Sequence, residues 1–180
     1  MSEENVFLKL VKEGKIEFTQ DGKIIAFNEH IIQLPVRVLN KLFSTLKETL
    51  GEGKAKEIMK ELGRFQVQQA FQRYIKILGW EKLPKNKIWE FVTQITLSLG
   101  LGKYEYRKSN DSYIISISKT PFAEEFLLEY GKQQSPIDYY ISGIFEKGLT
   151  ALLGKPMICE EVKCYAKGDD CCEFVVKPKE

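Results

Sequence analysis

The sequence predicts an α+β fold in which an antiparallel sheet packs against several helices, with a hairpin at the N-terminus. Three observations predict it. Short stretches of alternating apolar and polar residues flank turn signals at Asp21-Gly22, Asn110-Asp111 and Lys167-Gly168-Asp169-Asp170, the mark of paired strands. Longer stretches between them repeat apolar residues at helical spacing. Strands and helices also come in blocks rather than in the βαβ alternation of a parallel sheet. With 180 residues the chain can bury a core without disulfide staples, so a single domain over 1–180 is expected.

Along the chain, Val6 to Val11 reads as a short helix. IEFT and KIIAF follow as two strands joined at Asp21-Gly22, where glycine supplies the positive φ of a tight turn. This N-terminal hairpin extension occupies 1–34. A helical part, 35–110, opens after Pro35 with Val38, Leu39, Leu42, Phe43 and Leu46 at helical spacing and stops at Gly51. A longer helix carries Ala55, Ile58, Met59, Leu62, Ala70, Phe71, Tyr74, Ile75 and Leu78 as one apolar stripe up to Gly79, with Gly63 inside it. A third, Lys87 to Leu99, presents Trp89, Val92, Ile95 and Leu99. KYEYRKS and SYIISISK then form a second hairpin in which Tyr113, Ile115 and Ile117 alternate. PFAEEFLLEYG gives a short helix with Phe122, Phe126 and Leu127 on one face. Ser135 suits the N-cap and Pro136 the first position of a last helix, where Ile137, Ile141, Ile144, Phe145, Leu149 and Leu152 recur up to Gly154. Asp138 then stands at the third helical position, a capping-box-like arrangement. MICEEVKCYA and CCEFVVK close the chain as strands.

With 27 Lys and Arg against 25 Asp and Glu, the net charge of +2 supplies no strong field for a nucleic-acid backbone or an anionic membrane. Lys54, Lys56, Lys60, Arg64, Arg73 and Lys76 are interspersed with Glu57 and Glu61 and read as a solvated helix face. The N-terminus lacks a secretory signal, and no stretch approaches the roughly 20 apolar residues of a membrane span. The expectation is a soluble cytoplasmic protein with no direct nucleic-acid partner. In a reducing compartment, clustered cysteines are more often metal ligands or reactive thiols than disulfides.

Three of the four cysteines and five carboxylates fall in EEVKCYAKGDDCCEF, residues 160–174. No histidine is near. Cys164 and Cys172 bracket a Gly-containing turn and can bring both thiolates to one ion, although the spacing exceeds the usual Cys-x₂-Cys. The competing reading makes the cysteines small buried hydrophobes on strand positions, which suits Cys159 and its apolar neighbours.

The pattern Glu161-x-x-Cys164-x-Ala166-x-Gly168-Asp169-x-x-Cys172-x-Phe174 resembles the C-terminal signature of the 4-vinyl reductase domain, whose fold is related to that of the TRAPP small subunits. SPIDYYISGIFEKGLTALLGKPM resembles the family's preceding helix, with Gly143 and Gly148 at its glycine positions. RVLNKLFSTLKETLGEGKAKEIMKELGRFQ is similar to the N-terminal helical part of archaeal relatives of the hydrocarbon-binding type. The signature region thus extends over 111–177. In phenol-sensing transcription activators of this family, one zinc is held by a cysteine at the start of the long helix and by a glutamate and two cysteines of the final hairpin. The resemblance places these ligands at Asp138, Glu161, Cys164 and Cys172, with Asp138 a departure from cysteine that zinc tolerates. Four protein ligands leave no position for an activated water, so the implied role is structural. Strand parity sets a condition: Glu161 and Cys164 point to opposite faces of an unbroken strand, so either a bulge intervenes or Glu160 ligates instead.

No Gly-rich phosphate loop, GxSxG or HExxH motif is present, and a binding module is favoured over an enzyme. The resemblance implies an apolar cavity for a small hydrophobic, hydrocarbon or aromatic ligand between the long helices and the second hairpin. Phe71, Tyr74, Tyr113, Phe126, Tyr140, Ile144 and Phe145 are its candidate lining, with Gln69, Tyr74 or Tyr113 to orient a ligand and Gly143 and Gly148 to allow close approach. For each apolar candidate the competing reading is core packing. The apolar helix positions outnumber those one thin core can use, so a homodimer is expected; if the chain is a sensor, its output domain is a separate protein. The alternatives are a scaffold or interaction protein of the TRAPP-subunit kind, or an accessory factor in tetrapyrrole vinyl reduction, for which no motif for a hydride or electron carrier is visible.

Overall fold

The computed structural model describes residues 6–78, 84 and 100–179, and only the backbone of residues 6, 69 and 71–78. The helix expected over Lys87–Leu99 lies outside the described residues. Two units divide the chain, residues 1–34 with 72–101 and residues 35–71 with 102–180.

In the first unit, α1 (Val6–Lys12) precedes a small antiparallel sheet of β1 (Ile16–Phe18), β2 (Ile24–Ala26) and β3 (Glu29–Ile31) in the order β1-β2-β3. The expected hairpin therefore gains a third strand. Phe27 and Asn28 adopt φ of 52° and 65°, two consecutive positive values that fold the chain back on β2. Because phenylalanine rarely takes positive φ, this turn has no sequence signal. Phe27 is buried with Leu10 and Ile16, and that burial holds the turn residue in place.

The second unit contains α2 (Val36–Leu50), the larger part of α3 (Glu52–Leu78), β4 (Tyr104–Ser109), β5 (Ser112–Ile117), α4 (Pro121–Tyr130), α5 (Tyr139–Leu153), β6 (Met157–Lys163), a 3₁₀ turn (Tyr165–Lys167) and β7 (Cys172–Pro178). The four strands form an antiparallel sheet in the order β4-β5-β7-β6. Its inner face presents Tyr104, Ile115, Ile117, Cys159, Phe174 and Val176, all buried, as period-2 alternation requires. Phe145 of α5 packs edge-on against Phe174 and Tyr104, at 5.1 and 5.6 Å between ring centroids. On the other flank, Phe43 of α2 meets Phe126 of α4 at 5.9 Å, and Asn40 Nδ2 donates to the carbonyl of Phe122.

Helices α3 and α5 cross backbone to backbone. A Cβ on Gly63 would lie 2.1 Å from the carbonyl oxygen of Tyr140, and one on Gly143 would lie 2.0 Å from that of Lys60. Only glycine fits at either position. Gly148 has ordinary space, with Val67 Cγ1 at 4.0 Å from its would-be Cβ.

The basic face expected to be solvated is partly turned inward. Lys60 Nζ donates to the carbonyl of Cys159, Arg64 Nε donates to Glu146 Oε1, and Glu146 Oε2 accepts from the amide of Cys159. Met157 N donates to Thr150 Oγ1. Because β6 is an edge strand, these side chains satisfy backbone groups that no neighbouring strand can reach. The single apolar stripe expected on α3 also divides: Ala55 and Met59 are buried, whereas Ile58, Leu62 and Phe65 are 37, 40 and 60 % exposed. Among the described residues no helix is long and apolar enough to cross a membrane.

Candidate metal centre

Strand β6 carries the first candidate ligand, and a local irregularity aims it. Glu161 pairs with Phe174, but Lys163 pairs with the adjacent Glu173, so Val162 is an extra residue in the ladder. Val162 bulges outward, 45 % exposed. The bulge cancels the parity difference and lets Glu161 and Cys164 face the same side, while Glu160 points to solvent.

After Cys164 the chain makes one 3₁₀ turn and reverses at Gly168, whose φ is 90°. Lys167 N and Asp169 N both donate to the carbonyl of Cys164, and Asp169 Oδ2 accepts from the Cys164 amide at 2.8 Å. This knuckle returns Cys172 beside Cys164, both with no exposed surface. Cys171 is half-buried and Cys159 is buried elsewhere on the inner face of the sheet.

Asp138 supplies the fourth group, and here the structure corrects the capping expectation. Helix α5 begins at Tyr139 rather than at Pro136, and the Asp138 side chain caps nothing. Its carboxylate is buried and turned toward Thr120, Glu161 and the two thiols. Only the Asp138 carbonyl serves the helix, accepting from Ser142 N and Oγ.

One ligand atom from each of Asp138, Glu161, Cys164 and Cys172 lies within 4.8 Å of every other. In a tetrahedral zinc site with bonds of about 2.0–2.3 Å, ligand atoms sit roughly 3.3–3.8 Å apart, so slight contraction closes the set on an ion. Both carboxylates have one oxygen engaged and one free. Asp138 Oδ2 accepts from Thr120 Oγ1 at 2.6 Å and Glu161 Oε2 accepts from Asp138 N at 2.9 Å. Asp138 Oδ1 and Glu161 Oε1 are buried with no hydrogen-bond partner. A buried unpartnered carboxylate oxygen is costly unless a proton or a cation serves it.

The proton affinities reflect that demand. Burial, with the neighbouring Glu161 charge, holds Asp138 well above the carboxylate range, and burial pushes Glu161 up to about 8. The hydrogen bond shared by the two thiols raises Cys164 and lowers Cys172 to about 6. Tyr165 N also donates to Cys172 Sγ at 3.3 Å. The donor set fits a borderline-soft divalent ion such as zinc.

The residues expected to line a ligand cavity are placed less closely together. Phe126 packs on Phe43 and Tyr130, and Phe145 packs between Tyr104 and Phe174. Tyr113, Tyr140 and Ile144 are half-buried, and the Tyr140 ring meets Phe122 at 5.6 Å. The side chains of Gln69, Phe71 and Tyr74 lie outside the described residues. A separate cleft of about 300 Å³ opens at the N-termini of α2 and α4, lined by Pro35, Val36, Arg37, Pro121, Glu124 and Glu125; it holds none of the candidates.

Sequence reasoning missed Thr120. Its position before Pro121 is an N-cap signal, and it does accept from Ala123 N as the cap of α4. Nothing in the sequence points to its contact with Asp138, 18 residues on.

Comparison with known proteins agrees with this architecture. Residues 119–178 match the family model of the 4-vinyl reductase domain. Over 181 aligned residues the chain is 25% identical to an uncharacterized protein of Methanocaldococcus jannaschii, covering 95% of this chain and 90% of the relative. The phenol-responsive sensory domain of the transcription activator PoxR, solved with phenol, superposes with a TM-score of 0.81 at 17% identity, covering 96% of this chain and 88% of that one. A trafficking protein particle complex subunit 3 from Naegleria fowleri, covalently bound to palmitic acid, superposes with a TM-score of 0.55 at 18% identity over 81% of this chain and 95% of that one. A vinyl-4-reductase family protein from Methanocaldococcus jannaschii gives 0.52 at 22% identity, with 83% and 85% covered. The antiparallel sheet and its helices are the fold of these proteins.

Proposed function

We propose that this chain, whose residues 119–178 match the 4-vinyl reductase domain, is a binding module for a small hydrophobic or aromatic molecule, built around a structural metal centre. The observation that carries the binding reading is the likeness of fold over 96% of the chain to a phenol-responsive sensory domain. The second structural relative, which holds palmitic acid, supports an apolar ligand. Half-buried Tyr113, Tyr140 and Ile144 offer the mixture of apolar surface and phenolic hydroxyls such a ligand needs.

The metal reading rests on Asp138 Oδ1 and Glu161 Oε1, buried without partners beside two thiols. Zinc held by Asp138, Glu161, Cys164 and Cys172 would neutralise these groups and tie the start of α5 to the final hairpin. The ligands are all protein atoms, so the chemistry supplied is cross-linking of the fold.

Native mass spectrometry of the purified protein tests both parts. One zinc per chain is expected, together with a co-purifying apolar mass or, failing that, a rise in melting temperature with phenols or long-chain fatty acids. A metal-free protein of full stability removes the zinc reading. The absence of both ligand mass and thermal shift removes the binding reading. Cys164→Ser and Cys172→Ser should each abolish metal retention, whereas Cys159→Ser should keep it.

A further inference from the structure

We infer that Thr120 is a positioning residue of the proposed metal centre: its hydroxyl engages one oxygen of Asp138 so that the other is presented to the ion. The inference rests on the metal reading above and concerns what this chain needs because an aspartate stands at the start of α5. A carboxylate has two equivalent oxygens and can turn, chelate or bridge, whereas a thiolate offers one donor atom. An aspartate ligand therefore needs an outer partner to fix which oxygen binds and in what direction.

Thr120 meets that need from a separate element. It has no exposed surface. Its single proton points at Asp138 Oδ2, 2.6 Å away, and a lone pair accepts from Ala123 N at 3.0 Å. A hydroxyl with its proton and a lone pair both assigned cannot rotate freely. Its oxygen also lies 3.8 Å from Cys172 Sγ, so one side chain touches two of the four candidate ligands. Glu161 is held in the same manner, one oxygen on Asp138 N and one unpartnered. The repeated pattern leaves Oδ1 and Oε1 as the donor atoms.

The test uses the full chain stripped of metal, titrated with Co(II), whose absorption reports ligand geometry, and with Zn(II) against a chromophoric chelator. Thr120→Val removes the hydroxyl at near-constant shape, Thr120→Ala does so if the extra methyl prevents folding, and Thr120→Ser retains it. The expected result is a Zn(II) affinity lowered about 10–100-fold and an altered Co(II) spectrum without the hydroxyl, with wild-type behaviour in Thr120→Ser. The penalty should vanish in an Asp138→Cys background, where no second oxygen remains to be held. A variant that lowers the metal-free melting temperature but leaves affinity and spectrum unchanged would reduce Thr120 to a cap of α4 and overturn the inference. A penalty that persists with Asp138→Cys overturns it equally. If wild-type protein binds neither ion, the metal reading itself fails.

Discussion

Glu161 shows how one side chain's surroundings set the behaviour of the whole centre. Its carboxyl is raised to about 8 by burial, so the metal-free centre holds a proton there at neutral pH, and Cys164 holds another. A metal must expel both. Raised acids favour the protonated, metal-free state at low pH, so the apparent affinity for zinc should climb with pH. The expected slope is at least tenfold per pH unit below about pH 8, and shallower above it once Glu161 ionises unaided. Chelator competition at a series of pH values measures this. A flat profile between pH 6 and 8 would show that the carboxylates are already ionised and the protons absent.

At the scale of elements, the crossing of α3 and α5 leaves no room for a side chain between the two backbones. Gly143→Ala would drive a methyl against the Lys60 carbonyl and should cost about 2 kcal/mol or more, since neither backbone can retreat without disturbing its helix. Gly148→Ala, five residues along the same helix and with open space, should be neutral or gain up to about 1 kcal/mol from helix propensity. Urea unfolding of the two variants separates close approach from helix propensity. Equal effects would mean that the helices are not held at this distance. The same crossing brings Lys60 and Arg64 to β6 and Glu146, which is why residues resembling a solvated face on the helix alone are used to close a sheet edge.

For the whole molecule, the apolar residues left outside are as informative as the core. Val38 and Leu42 on α2 and Ile58, Leu62 and Phe65 on α3 are 37 to 60 % exposed, at spacings that keep each group on one helix face. Our reading is that a second copy of the chain covers them. Light scattering at micromolar concentration should then give the mass of two chains, and Leu62→Glu with Phe65→Glu should give the mass of one with unchanged circular dichroism. A wild-type mass of one chain would remove the dimer.

Periodicity and turn residues made most elements legible. Local signals suffice where one face is buried and a glycine or Asn-Asp pair marks the reversal, as in β4–β5, α2 and the span of α3. The grouping of Glu161, Cys164 and Cys172 was legible from a local pattern in the last hairpin, and Asp138 only from its place relative to that pattern. Tertiary structure alone decided the rest. The turn at Phe27-Asn28 depends on what Phe27 packs against. The late start of α5 depends on Asp138 being drawn from capping into a buried cluster. The bulge at Val162 selects Glu161 over Glu160, and Thr120 meets Asp138 only because α4 and α5 converge. The common reason is physical: spacing along the chain encodes which face a residue occupies within its element, whereas hydrogen bonds between elements depend on how those elements are brought together.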